Sequence, residues 1–126
     1  MNERENQETL ERFWRAHERG DPDALAVELH EQVEVFWPQS GERIRGKANL
    51  DAINRHLPGG HPTGSLLSLR VFGNFGILEM KLEYGSDVSF VVELIELKDT
   101  KVYRATEYFA APFEAPAWRS QWVEQA

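Results

Sequence analysis

The chain has 126 residues, the size of one ordinary domain, and 41% of them are hydrophobic, which excludes intrinsic disorder. Its 21 acidic residues outnumber 14 basic ones, and a net charge of -7 argues against nucleic acid or anionic lipid as a partner, because both need cationic contacts. Cysteine is absent, so disulfides, thiol nucleophiles and cysteine-ligated metals are out.

The first residues lack the 7–15-residue apolar core of a signal peptide, and no apolar run approaches the ~20 residues of a membrane span. The expected location is the cytoplasm. Residues 7–19 read as an amphipathic helix, since Leu10, Phe13, Trp14 and His17 share one face of a 3.6-residue period. Gly20 ends it, and Asp21 caps a short second helix that begins with Pro22 and presents Leu25, Ala26 and Leu29. Residues 32–37 alternate and are β-branched or aromatic, which predicts a strand ending at Pro38.

A third helix over 47–57 aligns Leu50, Ile53 and Leu57 and stops at Pro58-Gly59-Gly60. The period then changes to two. Residues 66–72, 75–84, 88–97 and 101–109 read as four strands joined by short turns. A last helical turn or two over 116–124 carries Trp118 and Trp122, which with Phe113 are expected to dock on the domain body or across a dimer. Helices early and strands late predict a single α+β domain over 1–126, its helices covering one face of a strongly bent sheet.

The last hairpin carries the candidate chemistry. With residues 98–100 as its turn, Leu97 pairs with Lys101, and odd-numbered residues of both strands share a face. Glu93 and Glu107 become diagonal neighbours, roughly 7–8 Å apart, among Val91, Ile95, Leu97, Tyr103, Ala105 and Phe109. Desolvation and mutual repulsion raise a carboxyl pKa in such surroundings, so one group can hold a proton near neutral pH while the other acts as base. The even face, with Val88, Phe90, Val92 and Leu94, is equally apolar, so alternation alone does not choose which face turns inward. If the odd-numbered face covers a pocket, Val88, Phe90, Val92 and Leu94 would expose a large apolar patch of the kind that marks an association site, and a homodimer is expected.

His17 is either a proton shuttle or a satisfied core histidine. Trp37 is either a pocket wall or core. The histidines at 17, 30, 56 and 61 lack metal-ligand spacing, and no nucleophile elbow, phosphate loop or dinucleotide fingerprint occurs, so neither metal nor cofactor is expected.

Gly20-Asp21, Trp37-Pro38 with Gly41 and Arg45-Gly46, and the run Tyr103, Arg104, Ala105, Thr106, Glu107, Tyr108, Phe109 carry a family resemblance. Over about residues 10–123 the chain resembles the nuclear transport factor 2-like (NTF2-like) superfamily, within it the SnoaL-like and ketosteroid-isomerase-like group. The resemblance implies an NTF2-like, cystatin-like cone of three N-terminal helices on a strongly curved antiparallel sheet, with a short C-terminal helix. It also implies an apolar pocket for a small apolar organic molecule, and pairing of two chains through the outer sheet face. Glu93 falls where ketosteroid isomerases carry an oxyanion-stabilising carboxyl, and Glu107 where limonene-epoxide-hydrolase-like members carry an acid. The isomerase base is replaced by Trp37 and the phenol donor by Phe13, and Arg104 has the opposite parity to Glu107, so neither catalytic set is complete.

Two readings follow. The chain is a cofactor-free acid–base enzyme of isomerase, cyclase or hydrolase type, with Glu93, Glu107 and His17 as catalytic groups and Trp14, Trp37, Tyr103 and Phe109 as ligand-binding walls. Alternatively it is a non-catalytic ligand-binding or protein-interaction module on the same fold.

Overall fold

The first helix begins four residues before the start that the sequence pattern predicts. In the computed structural model, which describes residues 2–126, α1 spans Glu3–Arg19. Its first turn is polar and is held by specific bonds: the Asn2 side chain accepts from the Glu5 amide, Glu3 accepts from the Gly73 amide, and Asn6 donates to the Gly73 carbonyl. Acidic residues there also suit the positive end of the helix. At the other end Gly20 adopts φ 63°, its amide bonds to the His17 carbonyl, and the Asp21 amide reaches the Ala16 carbonyl, the double closure of a Schellman motif. Asp21 then caps α2, Pro22–Val27, accepting from the Ala24 amide.

Strand β1, Leu29–Trp37, starts three residues earlier than its alternation predicts, and β2, Glu42–Arg45, has no counterpart among the expected elements. Only Ile44 of β2 is buried; its charged neighbours hid a short edge strand. Helix α3 covers Lys47–Arg55, leaving Leu57 beyond its end. Strands β3 (Thr63–Phe72), β4 (Phe75–Tyr84), β5 (Asp87–Lys98) and β6 (Lys101–Ala110) follow. The architecture is α+β: helices on one six-stranded curved sheet ordered β2-β1-β6-β5-β4-β3. Neighbours are antiparallel except β1 and β6, which run parallel.

Two bulges help bend the sheet. Leu66 pairs with Met80 and Ser68 with Glu79, so Leu67 is left unpaired and points to solvent. Leu97 pairs with Val102 and Glu96 with Arg104, so Tyr103 is left unpaired. An extra residue on one strand increases twist and turns the strand locally. The core lies between the concave face and the helices and includes Leu10, Val33, Leu78, Val91, Ile95 and Val102. Each such side chain contributes about 1.5–3 kcal/mol on burial. The Leu10 side chain of α1 packs so tightly over Gly76 that a Cβ there would run into it.

The C-terminal turn is a 3-10 helix, Ala117–Trp122, and it does not dock on its own domain. Phe113, Trp118 and Trp122 are 81%, 74% and 73% exposed, which corrects the expectation that they pack on the body. No described helix is long and apolar enough to cross a membrane.

Candidate functional site

The concave sheet and the helices enclose a chamber of about 100 Å³. Its walls are mostly apolar, with Phe13, Leu25, Val35, Met80 and Val91 among them. Five groups break that surface: His17 from α1, Asn54 from α3, Tyr84 from β4, Glu93 from β5 and Glu107 from β6.

The two glutamates are directly opposite each other in the β5–β6 ladder, not diagonal. The hairpin turn is shorter than expected, with Lys98 pairing with Lys101 across Asp99-Thr100, both at positive φ (53° and 59°). The Tyr103 bulge then shifts the register, so Glu93 meets Glu107. Directly opposed residues of a ladder have Cβ atoms about 4.5–5.5 Å apart, closer than the diagonal pair.

Glu93 is 4% exposed. Burial pushes its carboxyl well above the usual glutamate range, and the charge of Glu107 and a hydrogen bond to it act in the same direction. The proton-bearing form of Glu93 is thus favoured, beside the Glu107 carboxyl. The other side of Glu107 is held by Trp37, whose Nε1 donates to Oε1 at 2.7 Å. Trp37 in turn meets Phe109 edge to face, with ring centroids 6.0 Å apart. Tyr84 has its phenol pushed up, first by burial and then by the charge of Glu107, so it remains a hydrogen-bond donor.

His17 is pulled down to about 4 by burial and secondarily by His61, so the imidazole is neutral at pH 7. Trp14 stacks on it at 5.6 Å, and the Nε2 of His61 donates to the His17 backbone carbonyl. Beyond His17 lies a second cavity of similar size, bordered by Gly20, Pro22 and His61, which shares His17, Leu25, Asn54 and Leu57 with the chamber.

Glu93, Glu107, His17, Trp37 and Phe109 therefore border one space. Trp14 is buried behind His17 and off that lining. Tyr103 is not brought to the chamber. As the unpaired residue of the bulge it lies under the Arg104 guanidinium at 3.8 Å, beside Lys98 and edge-on to His30. Arg104 bonds to the Gln32 carbonyl and lies 3.5 Å from Glu34, away from the glutamate pair. Tyr84 and Asn54 were not anticipated. For Tyr84 a signal existed, because it has the parity of the inward Leu78, Met80 and Leu82. Among the described residues, no group of three or more histidine or acidic side chains is gathered so as to hold a metal ion.

No family model and no curated protein matches the chain. Solved structures do. An NTF-2 like protein of unknown function from Burkholderia xenovorans LB400 is 38% identical, with a TM-score of 0.91 over 100% of this chain and 98% of that one. A proposed ketosteroid isomerase from Kribbella flavida DSM 17836 is 24% identical, with a TM-score of 0.89 over 98% of this chain and 90% of that one. An LEH-like epoxide hydrolase of M. tuberculosis is 20% identical, with a TM-score of 0.70 over 84% and 83% of the two chains. At these last two identities the likeness concerns the fold.

Proposed function

The chain belongs to the NTF2-like family, and from that premise we propose that it takes a small organic molecule into its chamber and moves a proton on it without a cofactor. The observation that carries this reading is the directly opposed Glu93–Glu107 pair, one member buried, in an apolar enclosure. Two carboxyl groups of unequal environment divide the work of acid and base. Glu107, oriented by the Trp37 N–H, is the base that takes a proton from a carbon next to a carbonyl. Glu93, holding its proton, hydrogen-bonds the oxygen on which negative charge develops. Where the substrate carries a β,γ double bond, return of the proton from Glu107 to the γ-carbon of the dienolate shifts that double bond into conjugation, completes an isomerisation and restores the pair. His17, neutral at pH 7, is a polar wall in this scheme rather than the primary base.

Hydrogen–deuterium exchange tests the reading without knowledge of the natural substrate. Butanone in D2O loses its α-proton NMR signals slowly, and the wild-type protein is expected to accelerate that loss. Glu107→Gln should abolish the acceleration, with its amide spectrum showing the fold intact. Wild-type exchange no faster than that caused by equimolar acetate would leave ligand binding as the better reading.

The outer sheet face supports a homodimer. Phe90 and Tyr108 are 41% and 44% exposed there, with Val88, Val92 and Leu94 half-buried beside them. Such a patch is stable against water when two copies cover each other with two-fold symmetry.

A further inference from the structure

We propose that the chamber prefers a small organic cation, a primary alkylammonium, over neutral or anionic molecules of the same shape. The inference rests on the chamber reading above and names the ligand class it favours. Glu93 and Glu107 face each other inside the enclosure, and two carboxyl groups so close favour one proton between them, which leaves the pair as a unit with one negative charge. Among the described residues no lysine or arginine lines the chamber. Taken element by element, the polar groups that face it are His17 from α1, Asn54 from α3, the Trp37 N–H from β1 and the Tyr84 phenol from β4. All four are neutral at pH 7, and His17 stays so because burial opposes its protonation.

The cations nearest in sequence are committed elsewhere. Arg104 is stacked on Tyr103 and bonded to the Gln32 carbonyl, and Lys98 lies over the same tyrosine ring at 4.9 Å. A negative charge in an apolar chamber, on a pair of which Glu93 is buried and Glu107 half-buried, is costly without a counter-charge, and a cation entering the chamber supplies the missing partner. The walls suit it as well. Trp37 and Phe109 meet edge to face beside Glu107, and aromatic faces attract ammonium groups. A chain with net charge -7 also draws cations towards itself.

Size narrows the class. An apolar cavity of roughly 150 Å³ takes one benzene, so a chamber of about 100 Å³ takes a molecule of about four or five heavy atoms. Isobutylammonium, isobutanol and propionate fit that limit and differ in charge. Binding the ammonium allows the shared proton of the glutamate pair to leave, so affinity should rise with pH until the amine itself deprotonates.

The experiment titrates each of the three probes into isotope-labelled wild-type protein and follows amide shifts at pH 5.5, 7 and 8.5. Expected is isobutylammonium binding at least ten-fold tighter than isobutanol at pH 7, with no propionate binding. Shifts should centre on residues flanking Glu93, Glu107 and Trp37, and affinity should grow from pH 5.5 to 8.5. Glu107→Gln should reduce the preference to about two-fold or less, and the wild-type pH series decides the matter if that variant does not fold. Equal binding of isobutanol and isobutylammonium overturns the cation preference and leaves the chamber reading standing. Binding of none of the probes, together with unaccelerated butanone exchange, removes both. Ammonium shifts confined to surface carboxylates also overturn the proposal.

Discussion

The two faces of the β5–β6 hairpin are nearly matched in apolarity and have opposite fates. The inner face carries Val91, Glu93, Ile95, Leu97, Ala105 and Glu107, and its glutamate at 93 is 4% exposed. The outer face carries Val92, Leu94, Tyr108 and Phe90, and the last is 41% exposed. Hydrophobicity alone therefore does not explain why Glu93 is buried while Phe90 is left in water. What distinguishes the faces is the neighbouring strand. On β4, Leu78, Met80 and Leu82 alternate with Glu79, Lys81 and Glu83, so that strand has only one face that can turn inward. Leu78 pairs with Glu93 and Met80 with Val91, and paired residues share a face. An unambiguous strand therefore decides for an ambiguous one.

The largest test of this contrast is a matched pair of truncations. Ile95→Ala on the inner face should cost about 2–5 kcal/mol in urea unfolding, because Ile95 is fully buried and leaves a cavity. Phe90→Ser on the outer face should change monomer stability by less than about 1 kcal/mol, and light scattering should show the proposed dimer lost. Equal costs for the two would erase the distinction between the faces.

Opposite pH slopes sharpen it further. The Glu93 carboxyl is held above its unfolded value, so its protonated form is favoured in the folded state. That contribution is full below the ordinary glutamate pKa and is lost as pH rises through the raised one. Glu93→Gln should therefore gain stability relative to wild type from about pH 4.5 upward. His17 runs the other way. Its pKa falls from 6.5 to about 4 on folding, so its contribution is present above pH 6.5 and is lost as pH falls towards 4. His17→Phe should flatten that acid-side loss. Unfolding free energies measured every half pH unit read both slopes, and a flat difference for Glu93→Gln would mean an ordinary, hydrated carboxyl.

The smallest effect is expected from the C-terminal arm. Removing residues 113–126 should shift the Tm of the monomer by no more than a degree or two, since Phe113, Trp118 and Trp122 are largely exposed and bury little surface. A large loss at concentrations where scattering reports a dimer would show that the arm rests on the second copy.

Much of the fold was legible because its signals are local. Gly20, Asp21 and Pro22 mark a helix end and a helix start by conformational chemistry that needs no tertiary partner. The four late strands follow from alternation and turn residues. What stayed hidden depends on distant contacts. The first turn of α1 is anchored to Gly73 by Glu3 and Asn6, and β2 is a strand because β1 offers it an edge. The carboxylate pair was visible from parity, but its direct opposition was not, because that needs a bulge that no residue type announces. The same bulge removed Tyr103 from the expected wall. The bond from Trp37 to Glu107 spans 70 positions, a distance at which periodicity is silent.

The unpaired Tyr103 also governs where this chain can change in length. In an unbroken strand Val102 and Ala105 would point to opposite faces, yet both are buried, because β6 has one residue more than its ladder needs. Excising Tyr103 would leave a regular strand with Val102, Ala105 and Glu107 still facing inward. The same excision at Thr106, three positions on, would turn Glu107 out and Tyr108 in. Deletions are therefore absorbed or ruinous according to their phase with the ladder, and the residue most open to loss lies within four positions of the glutamate least open to displacement.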